Sequence, residues 1–554
     1  MSEQQNEGQN SGNHSNDDPS SGSTGEQPDQ HQNEESGEVD NGEKEEKQGL
    51  FSRFLDYVER SGNKLPDPVT VFVIIIGLVM FASLISYLLG VSVVHPNTGE
   101  TIYADNLFSG ENIQRTFVEM AQTFAEFPPL GLVLVVMLGI GVADRTGLVT
   151  TALKRFVEGT PDSLITAAVV FAGIMSSLAV DAGYVVLIPL GALIFYGVGR
   201  HPLAGLAAAF AGVSAGFSSN LLLTSLDPLL MGFTEPAAHI VDPGYTMNVA
   251  ANYWIMIALV PVFVLSGWYV TEKIIEPRLG SYDGTPEDLE DEDVNNEITP
   301  LVRKGHRWAG IVMLLSLIGT ALLVIPENAP LRGEEGELLP FYQSIVAIIF
   351  FVFLIPGIVY GIVTGQVKSD KDVAKMTADS MASMGAYIVL AFVAAHLIAF
   401  FNWSNLGLII AVSGAELLQG IPFLSAFGGV PLIIAFILVS AFINLFIGSA
   451  SAKWAIMAPV FVPMLMLMGY SPELTQAAYR LGDSFTNILT PLLPYFPLVI
   501  IFAQKYDKDI GLGTLISLMV PYSVFFGILS TLVLVVWMLF GWPLGPESPL
   551  IYAP

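Results

Sequence analysis

Apolar runs of about 18 residues or more recur between residues 68 and 541, and each is long enough to cross a ~30 Å hydrocarbon core as a helix. Backbone in lipid must satisfy its own hydrogen bonds, so a chain with many such runs folds as a bundle of membrane helices. With 52% hydrophobic and 13% charged residues, the sequence lies outside the soluble globular class. We read an all-α polytopic membrane protein. The formal charge of −28 is concentrated in two patches. Residues 1–48 set thirteen acids against Lys44 and Lys47 among Ser, Gly, Asn and Gln, the composition of a disordered tail. Residues 281–299 carry eight acids and no base, which makes a solvated loop. This acidic balance gives no footing for nucleic acid, and no motif asks for a cofactor. The absence of cysteine excludes disulfides and thiolate metal ligands and leaves the compartment open.

Charge placement orders the spans. Residues 51–64 have the spacing of an amphipathic surface helix, and 68–152 hold the first membrane helices, at about 68–93 and 130–152, around a polar outer loop at 95–127. Two apolar limbs at 163–199 form a hairpin whose ends share one basic side. A helix from 202 breaks at "GFSSNLLLTSLDP", and 247–272 returns to an acidic loop at 273–307. Middle helices fill 308–402 and a mixed segment 404–423 follows. A second hairpin takes 427–469, a broken span 473–503, and a last helix 512–541. Arg145, Lys154, Arg155, Lys273, Arg278, Lys368, Lys371, Lys375, Lys505 and Lys508 then fall on one side, which the positive-inside rule makes cytoplasmic together with the N-terminus. The count is about nine transmembrane helices plus two hairpins, in a multi-pass protein of the cell (inner or plasma) membrane.

Displaced by 270 positions, residues 181–214 align with 451–484 without a gap. Pro189 meets Pro459, Pro202 meets Pro472, Gly199, Gly212 and Ser214 meet identical residues, and Tyr184 meets Trp454. The charge reading has the two copies entering from opposite sides, the inverted-repeat plan of many secondary transporters. Gly448, Ser449 and Ser451 are then the tip of a re-entrant hairpin, with "SSLAVDAGY" (176–184) the matching tip. Non-helical backbone at depth survives only where it is buried in protein or lines water. Each hairpin is followed by a broken helix. Gly212 and Gly482 loosen the two helices, Pro491 and Pro494 free carbonyls, and Asn220 and Asn487 offer side-chain oxygens, which together suggest one oxygen-rich cation site per repeat.

Ionisable residues inside the membrane mark function by default. Arg480 and Asp483 stand at i, i+3 on one helical face, where they form either a self-neutralising structural pair or a working pair. In the second case Arg480 forks onto a carboxylate or sulfonyl oxygen, and Asp483 ligates Na+ or exchanges a proton. Trp454 is either an aryl-stacking residue or an interfacial anchor. Asp227, before Pro228, is either an Asx-turn residue or a carboxylate relay. Lys453 reads as snorkelling at the hairpin mouth, with substrate attraction as the alternative. Asp181, the repeat partner of Ser451, is a candidate at the first tip. Asp144 and Arg145 read as topology determinants.

The stretches "GSASAKWAIMAPVF", "GYSPELTQAAYRLGDSFTNILTPLLPYFPL" and "AGFSSNLLLTSLDPLL" resemble the AbgT family of p-aminobenzoyl-glutamate transporters, and the likeness runs from about residue 51 to about 540. The resemblance implies a homodimer with a water-filled basin, two re-entrant hairpins per subunit, and transport of folate-related or sulfonamide-like aromatic compounds. Carried over by motif, the family's substrate path falls on Asp227, Ser451, Trp454, Pro472, Arg480, Asp483 and Pro491, with Asn444 beside a bound cation. Na+ at Asn444 and Asp483, or a proton, is the expected coupling ion, and Asn220, Asn487 and Asp181 complete the coupling candidates. Two other functions stay open on the residues alone. One is a Na+-coupled carrier of di- or tricarboxylates. The other is an intramembrane aspartyl protease, which two of Asp181, Asp227 and Asp483 would serve as a dyad.

Overall fold

The computed structural model describes residues 68–94, 99–178, 183–282, 299–333, 336, 338–491, 493 and 495–553. The tail at 1–48, the surface helix at 51–64, Asp181, Pro494 and nearly all of the acidic loop lie outside them. Among the described residues, seven helical runs outside the hairpins are long and apolar enough to cross a membrane: Val69–Leu88, Gly110–Arg145, Tyr253–Leu279, Pro300–Val324, Ile345–Thr364, Gly385–Trp403 and Leu512–Phe540. Two broken spans, beginning at Pro202 and Pro472, complete nine. The protein is an all-α polytopic membrane protein with inverted repeats, each a re-entrant hairpin followed by a broken helix.

The polar stretch 95–127 holds more than the loop expected of it. Ser92–Val94 (β1) pairs antiparallel with Thr101–Tyr103 (β2), and a helix covers Gly110–Ala125. Ser109 caps that helix by accepting from the Asn112 amide, and Phe124 sets its ring edge-on to Phe392. Polar residues interleaved with the apolar ones along this helix, GENIQRTFVEMAQTFA, keep it from reading as an apolar run. The mixed segment beyond residue 404 likewise contains a helix, Leu406–Gln419, against the outgoing limb of the second hairpin.

The first hairpin descends through Ile165–Met175, turns at Ser176–Leu178, and climbs through a π turn, Gly183–Leu187, into Ile188–Gly197. With the turns that continue them, the limbs run Asp162–Leu178 and Gly183–Gly197 and reach roughly 25 and 22 Å at about 1.5 Å per residue, short of the ~30 Å hydrocarbon core. Each falls short of a full crossing. The second hairpin has longer limbs, Val430–Asn444 and Ala450–Leu467, around a non-helical tip in which residues 445–449 are all half-buried. The two hairpins keep register: the second limbs end at Gly197 and Leu467 and the next helices start at Pro202 and Pro472, so both boundaries shift by 270 residues.

Close approach at paired glycines fixes how each broken helix crosses its hairpin. A Cβ on Gly212 would lie 2.5 Å from the Val170 carbonyl oxygen and 3.0 Å from the Gly173 Cα. A Cβ on Gly482 would strike the Ile437 carbonyl oxygen and lie 2.7 Å from the Ser440 Cβ. Val170 and Ser440 are themselves 270 apart. Only glycine lets two backbones pack this tightly.

Candidate functional site

The site centres on one helix, Pro472–Thr486, whose sequence "PELTQAAYRLGDSFT" is polar yet buried along almost its whole length. Ser471 caps its first turn, and it breaks at Asn487–Leu489 with Thr490 leaving the helix. Such a helix is stable inside a membrane protein only if its polar groups find partners, and each charged residue does.

Arg480 and Asp483 do not pair with each other. The Arg480 Nη1 donates to Asp227 Oδ1 at 2.7 Å, and Asp483 pairs with Lys453. All four side chains are buried. One ion pair thus joins the second broken helix to the helix Leu226–Ala238, and the other joins it to the second hairpin. Asp227 lies in the first turn of that helix rather than in a loop, and its two oxygens divide the two roles that its sequence left open. Oδ2 accepts from the Thr224 amide at 2.6 Å, closing a local turn, while Oδ1 faces Arg480.

Lys453 is the clearest departure from the sequence reading. Its side chain does not snorkel to water at the hairpin mouth; it is completely buried. Nζ donates to Asn444 Oδ1 at 2.5 Å, pairs with Asp483, and stands 5.5 Å from the centroid of the Tyr479 ring. A buried ammonium requires this much compensation. The Asn444 Nδ2 group faces three acceptors: the Asp483 carbonyl at 2.7 Å, Thr486 Oγ1 at 2.9 Å and Asn487 Oδ1 at 2.8 Å. The two oxygens assigned to Na+ on sequence grounds therefore converge on the chain's own cation.

Trp454 neither anchors at an interface nor offers a free face. It is fully buried, stacks on Tyr479 at 4.3 Å between ring centroids, and donates from Nε1 to Thr234 Oγ1 at 2.9 Å. Thr234 is also 2.6 Å from Gln476 Oε1, Gln476 Nε2 donates to Asn252 Oδ1, and Asn252 Nδ2 donates to the Glu473 carbonyl. The Glu473 carboxylate accepts from the Tyr245 hydroxyl. This chain of polar groups was missed in the sequence, although the polar character of 472–486 amid apolar neighbours was a usable signal. Ser451 sits half-buried at the tip with its hydroxyl 3.3 Å from Ser449 Oγ. Pro491 is half-buried at the break. Pro472 opens the helix, ~12 Å along its axis from Arg480 at 1.5 Å per residue, where it sets the first turn.

Around the first tip, Asn220 Nδ2 donates to Ser177 Oγ at 2.8 Å and its Oδ1 accepts from the Leu222 amide at 2.9 Å. The two breaks touch: Ser484 Oγ donates to the Ala215 carbonyl, and Asn487 Nδ2 reaches the Ser214 carbonyl at 3.4 Å. A cavity of about 540 Å³ opens beside this tip, lined by Phe171, Met175, Leu178 and Leu222 with Arg155 and His306 at its polar edge. Among the described residues, no cluster of three or more His, Cys, Asp or Glu side chains could hold a metal ion.

The profile of the AbgT putative transporter family matches residues 53–552, nine-tenths of the chain and the whole of this architecture. The chain belongs to the AbgT family. Within it, the p-aminobenzoyl-glutamate transport protein of Escherichia coli K12 is 38% identical over 497 residues, covering 89% of this chain and 96% of that one. Among solved structures, the YdaH transporter of Alcanivorax borkumensis, described as having an unusual topology, is 44% identical with a TM-score of 0.82 over 87% of this chain and 100% of its own. MtrF of Neisseria gonorrhoeae, described within a class of antimetabolite efflux pumps, is 46% identical with a TM-score of 0.84 over 90% of this chain and 100% of its own. This AbgT protein is a multi-pass membrane transporter and not an enzyme. Asp227 and Asp483 are each matched to a different base, Arg480 and Lys453.

Proposed function

We propose that this chain is a secondary active transporter of p-aminobenzoyl-glutamate or a related aromatic carboxylate or sulfonamide, driven by a cation gradient through Asp483. It works as a homodimer in the cell (inner or plasma) membrane with its N-terminus cytoplasmic. The observation that carries the reading is Arg480. It is buried where the second broken helix meets Leu226–Ala238, and one nitrogen is paired with Asp227, while its Nε is buried with no hydrogen-bond partner. A buried guanidinium N–H without an acceptor is costly, and a substrate carboxylate or sulfonyl oxygen would supply one. The names of the relatives support the aryl class: one moves p-aminobenzoyl-glutamate and one is grouped with antimetabolite pumps.

Alternation is the natural use of two cross-linked ion pairs. Asp227–Arg480 ties the second broken helix to the first repeat's side, and Lys453–Asp483 ties it to its own hairpin. A substrate anion that competes for Arg480 loosens the first tie, and an ion that competes at Asp483 loosens the second. Coupling follows if the hairpin moves only when both have been exchanged.

Flux of radiolabelled p-aminobenzoyl-glutamate into proteoliposomes, under sodium and pH gradients imposed separately and in both directions, tests the reading. We expect gradient-driven accumulation in the parent and none in Asp483→Ala. Excess unlabelled p-aminobenzoyl-glutamate should compete and succinate should not. Equal flux in Asp483→Ala, or competition by succinate alone, overturns the assignment; the second result favours the dicarboxylate carrier.

A further inference from the structure

Glu473 is a buried acid that the two ion pairs leave out. It is 2% exposed, yet among the described residues it joins no ion pair. Its carboxylate accepts from the Tyr245 hydroxyl, which lies 2.9 and 2.7 Å from the two oxygens. The titratable groups around that contact do not neutralise it. His239 Nε2 is directed at the Tyr245 carbonyl at 2.8 Å, Tyr552 sets its ring edge-on to Tyr245 and donates to Asp242, and Glu235 accepts from the Met247 amide. On its own helix Arg480 stands ~10 Å along the axis at 1.5 Å per residue and is already paired with Asp227. A helix N-terminus and a phenol offset only part of the cost of burying a carboxylate, while the neutral acid costs far less to bury. Helix formation does not explain the residue. Displaced by 270, Glu473 becomes Leu203, likewise buried in the first turn of a helix that opens on proline. The fold accepts leucine there, so the acid is an addition to the shared plan. A cavity of about 670 Å³, lined by Glu126, Glu235, Met247, Asn248 and Glu547 among others, brings water up to the loop that carries Tyr245.

We propose that Glu473 is a proton-carrying carboxyl of this transporter, which takes one proton from the outer medium and releases it to the cytoplasm in each cycle, with Tyr245 as its hydrogen-bond partner. The inference rests on the transport reading above and adds a proton seat ~15 Å along the helix from Asp483 at 1.5 Å per residue. The proton arrives on hydronium through the cavity, an O–H bond forms on one carboxyl oxygen, and water is left behind. The Tyr245 hydroxyl keeps its bond to the other oxygen. Uptake removes a buried charge from the helix that also carries Arg480 and Asp483, and so changes the cost of exposing that helix to either side. Release is the reverse step, with the proton returned to water.

The test compares the purified full-length parent in proteoliposomes with Glu473→Gln, which keeps the shape of the protonated acid. Three quantities are read: p-aminobenzoyl-glutamate accumulation under an imposed pH gradient, its exchange between equal concentrations at equal pH, and the infrared difference spectrum between acid and alkaline buffer. The parent should accumulate substrate on the pH gradient and show a component of the carboxyl C=O band that appears reversibly on acidification. Glu473→Gln should lose both the accumulation and that component while exchanging substrate at the parent rate, a split that a purely structural glutamate would not give. Accumulation by Glu473→Gln on a pH gradient overturns the proposal, as does an infrared spectrum unchanged from the parent or a folded variant that has also lost exchange. A parent driven by Na+ alone overturns it as well. If Glu473→Gln is not recovered folded, Tyr245→Phe decides. With a donor to the carboxylate removed, the band component should appear at a more alkaline pH, and an unmoved band refutes the assignment. A parent that moves no p-aminobenzoyl-glutamate under any gradient sinks the transport reading, while the infrared titration still decides whether Glu473 holds the proton.

Discussion

The two repeats share a backbone plan and divide the chemistry unequally. Both hairpins feed a broken helix that opens on a proline, crosses its hairpin through a glycine, and meets its counterpart at Ser214–Ala215 and Ser484–Asn487. Yet Phe210, Val213 and Gly183 occupy the first copy where Arg480, Asp483 and Lys453 occupy the second. The first copy is apolar and closely packed at these positions, with Phe210 completely buried and its ring 5.7 Å from that of Phe496. Symmetry of the fold therefore sets where a site can form, and side-chain identity decides which copy carries it. The first repeat's side still contributes Asp227, so the charged cluster of the second copy is completed from the first.

Paired substitutions at equivalent positions break or sharpen that contrast. The largest effect should come from Arg480→Met, set against Phe210→Ala. Removing Arg480 leaves Asp227 buried and unpaired, at a cost of about 3–5 kcal/mol. Truncating a buried phenylalanine costs about the same, 3–5 kcal/mol, through lost contact and the cavity left behind. Melting temperatures should thus fall by similar amounts. Substrate binding should vanish only in Arg480→Met, as read by isothermal titration with p-aminobenzoyl-glutamate. Equal loss of binding in Phe210→Ala would mean that the first copy takes part in recognition directly. A milder pair is Asp483→Asn and Val213→Ala. The first should stop gradient-driven flux, and the second should cost about 1–3 kcal/mol of stability with flux retained, since it removes only buried methyl groups.

The legible part of the molecule was its backbone plan. Apolar runs located the spans, and the paired prolines Pro202 and Pro472 located the repeat, because a proline at the start of a helix and a glycine at a close crossing are dictated by local geometry. Helices with one polar face escaped, as Gly110–Ala125 shows, because membrane-scale hydropathy does not register them. The pairing of charges was not legible. Arg480 and Asp483 sit at a spacing that suits mutual contact, but their partners, Asp227 and Lys453, lie 253 and 30 residues away in sequence. Which base meets which acid is decided by the packing of three separate elements. Lys453 looked like a surface lysine because one residue carries no sign of whether its hairpin tip faces water or protein. The network behind Trp454 had a visible half, the polar run 472–486, and an invisible half, Thr234 and Asn252.

The crossings test whether the shared plan is equally tight in both copies. Gly212→Ala and Gly482→Ala each push a methyl group into backbone: Val170 and Gly173 in one case, Ile437 and Ala441 in the other. Backbone yields less readily than a side chain, so each should cost about 1–3 kcal/mol as overpacking, with similar drops in melting temperature. Only Gly482→Ala should also lower flux strongly, because it shifts the helix that carries Arg480 and Asp483.

The smallest effect should fall on Thr234→Val, which keeps the volume of the side chain and removes the hydroxyl between Trp454 Nε1 and Gln476 Oε1. Two buried polar atoms would then lack their partner, though Trp454 Nε1 keeps a contact to the Leu230 carbonyl at 3.3 Å, so the loss should be about 1–2 kcal/mol. Thr234 fastens the second hairpin to the helix bearing Asp227, which makes it a latch on the active copy with no charge of its own. Weakening a latch alters how often the hairpin opens and leaves the ion pairs intact. Flux should then change by less than about tenfold, with its dependence on the driving gradient preserved; a kinetic trace in which that dependence is lost would make Thr234 part of the coupling site.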